Sequence, residues 1–91
     1  MEFEWDENKR KTNLIKHNID FINVKVVFKD PYRIEKIDDR KDYGEIRVNT
    51  IGKFQNEIIV LVAHTDRNGV IRIISARQAN KKERSLYYGN S

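Results

Sequence analysis

Ninety-one residues with a net charge of +4 and no cysteine leave room for one domain spanning 1–91, with no disulfide framework and no thiolate chemistry, so a reducing cytoplasm is the expected home. No apolar run approaches the roughly 20 residues a membrane-spanning helix needs, and Glu2, Glu4 and Asp6 stand where a signal peptide would be basic, so the reading is a soluble, intracellular chain with no membrane partner. Hydrophobic residues at 38% support a modest core, while 35% charged residues imply a densely charged surface. The charge is uneven: between Arg67 and Arg84 there are six basic residues and one acid, Glu83, a concentration that suits a phosphate-rich partner.

In chain order, residues 1–5 read as a short edge strand. Asp6 is placed to cap a helix running to about His17, with Asn18 as a left-handed stop. That helix carries Lys9, Arg10, Lys11 and Lys16 around only Leu14 and Ile15, a narrow buried stripe beside a broad basic one. Asp20 is a second capping candidate, and Phe21, Val24, Val27 and Phe28 form an amphipathic pattern that predicts a second helix docked on a sheet. Pro31 ends it.

Residues 32–37 alternate weakly as a strand, and the polar stretch 38–43 reads as a mobile loop. Residues 45–51 alternate Ile46, Val48 and Thr50 against Glu45, Arg47 and Asn49, which predicts a half-buried strand. Gly52, Lys53 and Asn56 turn the chain into 58–65, whose continuous apolar run predicts a central strand covered on both faces. Asn68-Gly69 between apolar runs is a strong hairpin signal that pairs 60–65 with 70–76. A two-residue turn sets Arg72 opposite Thr65; a four-residue loop sets it opposite Ala63. Arg77, Lys81, Arg84 and Tyr88 follow at helical spacing on one face of a C-terminal helix, with Ala79, Glu83, Leu86 and Tyr87 on the packing side. The expected fold class is α+β: an antiparallel sheet with two N-terminal helices and one C-terminal helix.

Two histidines, no cysteine and no paired ligand spacing argue against a metal site, and no phosphate-binding glycine loop, dinucleotide fingerprint or nucleophile elbow is present. What remains is acid–base chemistry with electrostatic stabilisation, and no cofactor is expected. His64 stands at a strand end beside the hairpin turn, where an imidazole that reaches solvent exchanges protons near neutral pH; a strand-end histidine bonded to a carbonyl explains it as well. Arg72 reads as a phosphate ligand or as a sheet-surface ion pair with Glu45 or Asp66. Glu45 and Arg47 share a strand face, either in a cleft or in solvent. Tyr87 and Tyr88 are candidates for stacking on bases. RNA cleavage needs an acceptor for the 2′-OH proton, cations for the charge growing on phosphorus and a donor for the departing 5′ oxygen, and this chain contains all three residue types.

The stretches FEWDENKRKTNLIKHNIDF, GEIR with TIG, and AHTDRNGVIRIISARQANKKERSLYY, in that order, resemble the BrnT toxins of bacterial type II toxin–antitoxin systems over nearly the full length. The resemblance implies a RelE-like fold and a metal-independent endoribonuclease that arrests growth by cutting RNA. It also implies a cognate ribbon-helix-helix antitoxin, BrnA-like, with operator DNA contacted only through that antitoxin. Carried over by position, the family's polar residues fall on Lys9, His17, Glu45, Arg47, His64, Arg72, Arg77 and Arg84. The expected roles are Arg72 and Arg77 on the scissile phosphate, His64 as acid or base, and Glu45 with Arg47 as support; Lys9, His17, Lys81, Arg84 and Tyr88 are expected to bind RNA. Gln78 departs from the arginine many members carry after SAR, and Asn18 from the glycine common after KH.

Overall fold

The computed structural model describes residues 1–90. Its elements are β1 (Glu2–Trp5), α1 (Glu7–His17), a 3-10 segment (Val24–Lys29), β2 (Ile34–Asp38), β3 (Arg47–Lys53), a 3-10 turn (Gln55–Glu57), β4 (Ile59–Arg67), β5 (Val70–Gln78) and α2 (Lys81–Asn90). The five strands form one sheet in the order β1-β5-β4-β3-β2. Neighbouring pairs are antiparallel except β1, which lies parallel to β5 with Phe3 beside Ile71 and Trp5 beside Ile73. The sheet is therefore mixed, correcting the all-antiparallel expectation: β1 and β5 are brought together through the whole length of the domain, and no local turn signal announces such a pairing.

The local chemistry explains most boundaries. Asp6 Oδ1 accepts from the backbone N–H groups of Asn8 (2.8 Å) and Lys9 (3.2 Å) and so caps α1, and Asn18 closes it in the left-handed region at φ 58°. The buried residue of α1 is Asn13, while Ile15 is 87% exposed and Leu14 is also on the surface, so the expected apolar stripe is not what docks this helix. The second N-terminal helix is also corrected: residues 24–29 form a 3-10 segment, preceded by turns. Phe21, Val24 and Val27 are fully buried at a spacing of three, which matches the three residues per turn of that geometry.

Two apolar clusters hold the sheet. On one face Ile19, Phe21, Val24, Val27 and Phe28 pack on Val60, Val62, Ile73 and Ala76, with Phe3, Trp5 and Ile71 at the margin. On the other, Ala79 and Tyr87 pack on Ile51, Ile59 and Leu61. Residues 59–62 of β4 are thus buried on both sides, as the continuous apolar run predicts. Close approach fixes one glycine: a Cβ on Gly52 would lie 2.7 Å from Val27 Cγ1. Among the described residues no helix is long and apolar enough to cross a membrane.

The β4–β5 hairpin turns on Asn68 and Gly69, both at positive φ (55° and 84°), with Arg67 opposite Val70 and Thr65 opposite Arg72. Farther along, Ala63 pairs with Ser75 but His64 with Ile73, so Ile74 is an extra residue bulged out of β5. Arg77 lies in β5 and not on the C-terminal helix, which begins only at Lys81. The β5 pairing places it opposite Leu61, and Asn80 then caps the helix by accepting from the Glu83 N–H while Glu83 accepts from the Asn80 N–H, both at 2.8 Å.

Candidate active site

Side chains alternate along a strand, so residues five apart, such as Arg72 and Arg77, ordinarily face opposite ways. The bulge at Ile74 restores their parity. Arg72 sits opposite Thr65 and Arg77 opposite Leu61, and Leu61, Ala63 and Thr65 share one face of β4. The two arginines thus lie on the same side of the sheet, the side that carries α2. A row of paired residues, Lys36, Asn49, Ala63 and Ser75, crosses four strands on this side. It floors a groove of about 520 Å³ whose walls include Asp38, Arg40, Arg77 and Glu83.

Each arginine here is held by a carboxylate. Arg77 makes a bidentate pair with Glu83, Nη1 to Oε1 at 2.8 Å and Nη2 to Oε2 at 2.9 Å. That pair holds the guanidinium pKa above its ordinary value and the Glu83 carboxyl below its own. Arg72 Nη1 donates to Glu4 Oε2 on the neighbouring β1 at 2.9 Å, so its partner is neither Glu45 nor Asp66. Arg47 bonds Glu45 (3.3 Å) with its guanidinium 4.0 Å from the centre of the Tyr43 ring. Glu45 also accepts from Arg67 (3.2 Å). Desolvation works against the Glu45 charge, but the hydrogen bonds from Arg67 and Arg47 outweigh it and keep the pKa below the ordinary carboxylate value.

At the groove's far wall Arg40 grips Asp38 through two hydrogen bonds of 2.9 Å, and Tyr43 donates to the same carboxylate at 3.1 Å. These bonds drive the Asp38 pKa well below the usual carboxylate range. Asp38, Arg40 and Glu83 were not expected at a site. Glu83 carried a signal, as the lone acid among six cations; Asp38 and Arg40 sit in a polar loop that reads like any other.

His64 lies elsewhere. Its ring is only 8% exposed, its Nε2 is 2.7 Å from Thr50 Oγ1, and it meets the Phe28 ring edge-on at 4.9 Å, on the face that packs against the 3-10 segment. Burial lowers its pKa from the ordinary 6.5, with Glu35 and Asp66 opposing, so the neutral ring is favoured. This corrects the solvent-reaching position: His64 stands on the opposite side of the sheet from Arg72 and Arg77. The alternation of Val60, Val62 and His64 along β4 was the signal that it points into the core.

The remaining expected residues divide. Lys9 and His17 line a cleft between α1 and β5. Lys81 is exposed on the first turn of α2, and Arg84 turns back to donate to the Ala79 carbonyl at 2.8 Å. Tyr88 is 54% exposed, with its ring 5.3 Å from that of buried Tyr87. Among the described residues no group of three or more His, Asp or Glu is placed to hold a metal ion.

A sequence model of the family described as "Ribonuclease toxin, BrnT, of type II toxin-antitoxin system" matches residues 5–83. Among solved structures, the chain resembles the ribonuclease toxin BrnT of Brucella abortus, with 31% identity and a TM-score of 0.68 over 89% of this chain and 99% of that one. A search of curated proteins finds no match. The chain belongs to the BrnT family of ribonuclease toxins, which act on RNA and are paired with an antitoxin in type II toxin–antitoxin systems.

Proposed function

We propose that this chain is an endoribonuclease toxin that cuts RNA by attack of a ribose 2′-OH on the adjacent phosphate, with the groove beside α2 as its active site. The observation that carries this reading is the groove itself, where Arg77, Lys36 and Arg40 line one hollow with Glu83; the bulge at Ile74 puts Arg72 on the same face, but opposite Thr65, four β4 residues from the Leu61 that faces Arg77, and outside the groove lining. In the reaction the 2′-oxygen forms a bond to phosphorus, the bond to the 5′-oxygen breaks, and negative charge grows on the phosphoryl oxygens. A planar guanidinium binds two such oxygens at once. Arg77, at the groove wall, is in this reading the principal phosphate ligand, with Lys36 and Arg47 adding charge. Glu83, beside Arg77, is the nearest carboxylate to accept the 2′-OH proton, and water protonates the departing 5′-oxygen to a hydroxyl; hydrogen bonds from Arg77 hold the Glu83 pKa below its ordinary value, so it is a weak base and electrostatic stabilisation carries most of the rate. No metal is assigned a step. His64, buried and neutral, has a structural part here. The inhibitor in this reading is a BrnA-like antitoxin of the ribbon-helix-helix type, which alone contacts operator DNA.

Expressed alone in bacteria, the chain should arrest growth, and purified protein should leave RNA fragments ending in 2′,3′-cyclic phosphates even with EDTA present. Fragments ending in 3′-hydroxyls, or cleavage abolished by EDTA, would overturn the mechanism. One observation favours a second reading, a surface that binds nucleic acid or antitoxin without chemistry: Arg40, Arg47, Arg72 and Arg77 are each already neutralised by a carboxylate. Under that reading RNA is bound and left intact.

A further inference from the structure

Cations that are already paired must exchange a carboxylate for a phosphate, whereas unpaired ones need exchange nothing. Among the described residues, no ion pair involves Lys9, Lys16 or His17. All three line one cleft of about 310 Å³ between α1 and β5, together with Thr12, Asn13 and Ser75, and no carboxylate is among its walls. The cleft exists because β1 pairs with β5 only from Val70 to Ile73, leaving the rest of that edge without a neighbouring strand. The helix fills part of the gap, and Asn13 fixes its distance by hydrogen bonds to Ala76.

Ser75 lines this cleft and also the groove that holds Arg77. The two hollows therefore meet at the open edge of β5, and Arg77 lies only two residues, about 7 Å, farther along the strand. We propose that the α1 cleft is a binding subsite for the phosphates flanking the cut: a single RNA strand seated at Arg77 turns over the β5 edge at Ser75 and lays its next phosphates against Lys9, Lys16 and His17. The inference rests on the ribonuclease reading and specifies its substrate as a single strand, because a chain that folds over a sheet edge within a few nucleotides must be flexible. A stiff duplex resists such a bend.

The test uses the whole chain and non-cleavable 2′-O-methyl oligoribonucleotides of three and twelve residues, with binding followed by fluorescence anisotropy. Lys9→Ala with Lys16→Ala, both exposed positions, should weaken 12-mer binding by about tenfold and reduce its logarithmic salt slope by about 1.4, two phosphate contacts on a single strand. Trimer binding should be unchanged. An unaltered 12-mer affinity, or an equal loss for both lengths, overturns the subsite. Cleavage of an unmodified 12-mer by the unaltered protein is scored separately: its absence sinks the ribonuclease reading, while the length dependence of binding still decides the subsite.

Discussion

Asn13 takes the place that a neighbouring strand would occupy beside β5. Its Nδ2 donates to the Ala76 carbonyl (2.9 Å) and the Ile19 carbonyl (3.0 Å), and its Oδ1 accepts from the Ala76 N–H (3.1 Å), all in a buried setting. Removing the carboxamide orphans one buried backbone donor and two acceptors. Asn13→Ala should cost at least about 3 kcal/mol in urea denaturation, since three buried groups lose their partner at about 1–3 kcal/mol each; a loss below about 1 kcal/mol would show that water takes over these bonds. His64 gives a prediction with a sign. Its folded pKa lies below the unfolded 6.5 because burial disfavours the charged ring. Below pH 6.5 the unfolded chain binds the extra proton first, so the stability due to neutral His64 is complete above that pH and drains away as pH falls towards the folded pKa. Thermal unfolding from pH 7.5 to 5 should show this loss, and His64→Gln should flatten the curve in that window, above the carboxylate range. A variant as pH-sensitive as the parent would place the titration elsewhere.

Tyr87 joins helix α2 to the sheet. Tyr87 is fully buried against Ile51, Ile59 and Leu61, and its hydroxyl donates to Asp30 Oδ2 at 2.5 Å. The same carboxylate accepts from the Lys53 N–H (2.8 Å), so the helix, the end of β3 and the Asp30 turn share one anchor. Tyr87→Phe keeps the packing and removes the bond, with an expected cost of about 1–2 kcal/mol and faster hydrogen exchange across α2; unchanged exchange would mean that packing alone holds the helix. Of the elements, those specified by neighbouring residues were legible from sequence: the Asp6 cap, the Asn68-Gly69 turn and the buried run of β4. Elements specified at a distance were not. Nothing near β1 states that its partner is β5, and in Ile71-Arg72-Ile73-Ile74-Ser75 two adjacent isoleucines hide which residue the bulge expels. That bulge decides whether Arg72 and Arg77 share a face, so the layout of the two arginines could not be read from the sequence. The spacing of Phe21, Val24 and Val27 held the answer for the 3-10 segment, but Phe28 beside them made it resemble an α-helix.

At the scale of the molecule, Arg40, Arg47, Arg72 and Arg77 on the α2 side of the sheet are neutralised in place, whereas among the described residues the lysines of α1 take part in no ion pair. Under the proposed ribonuclease reading, a net charge of +4 spread in this way would give general attraction to RNA from one region and shaped contact from the other. Arg77→Lys separates the two contributions. Lysine keeps the charge but loses the fork, so it retains attraction and forfeits the paired contact to two phosphoryl oxygens. RNA binding should change by less than about threefold, because the long-range charge term is preserved, whereas cleavage should fall by about 10²–10³-fold, the usual consequence of removing one donor aimed at developing charge. Because Arg77 is tied to Glu83 in the cap of α2, the variant's unfolding temperature is measured alongside; a stable fold with intact binding and lost cleavage assigns the defect to the transition state. Equal losses in binding and cleavage would instead make Arg77 an anchor for the strand, with the phosphate contacted by some other cation of the groove.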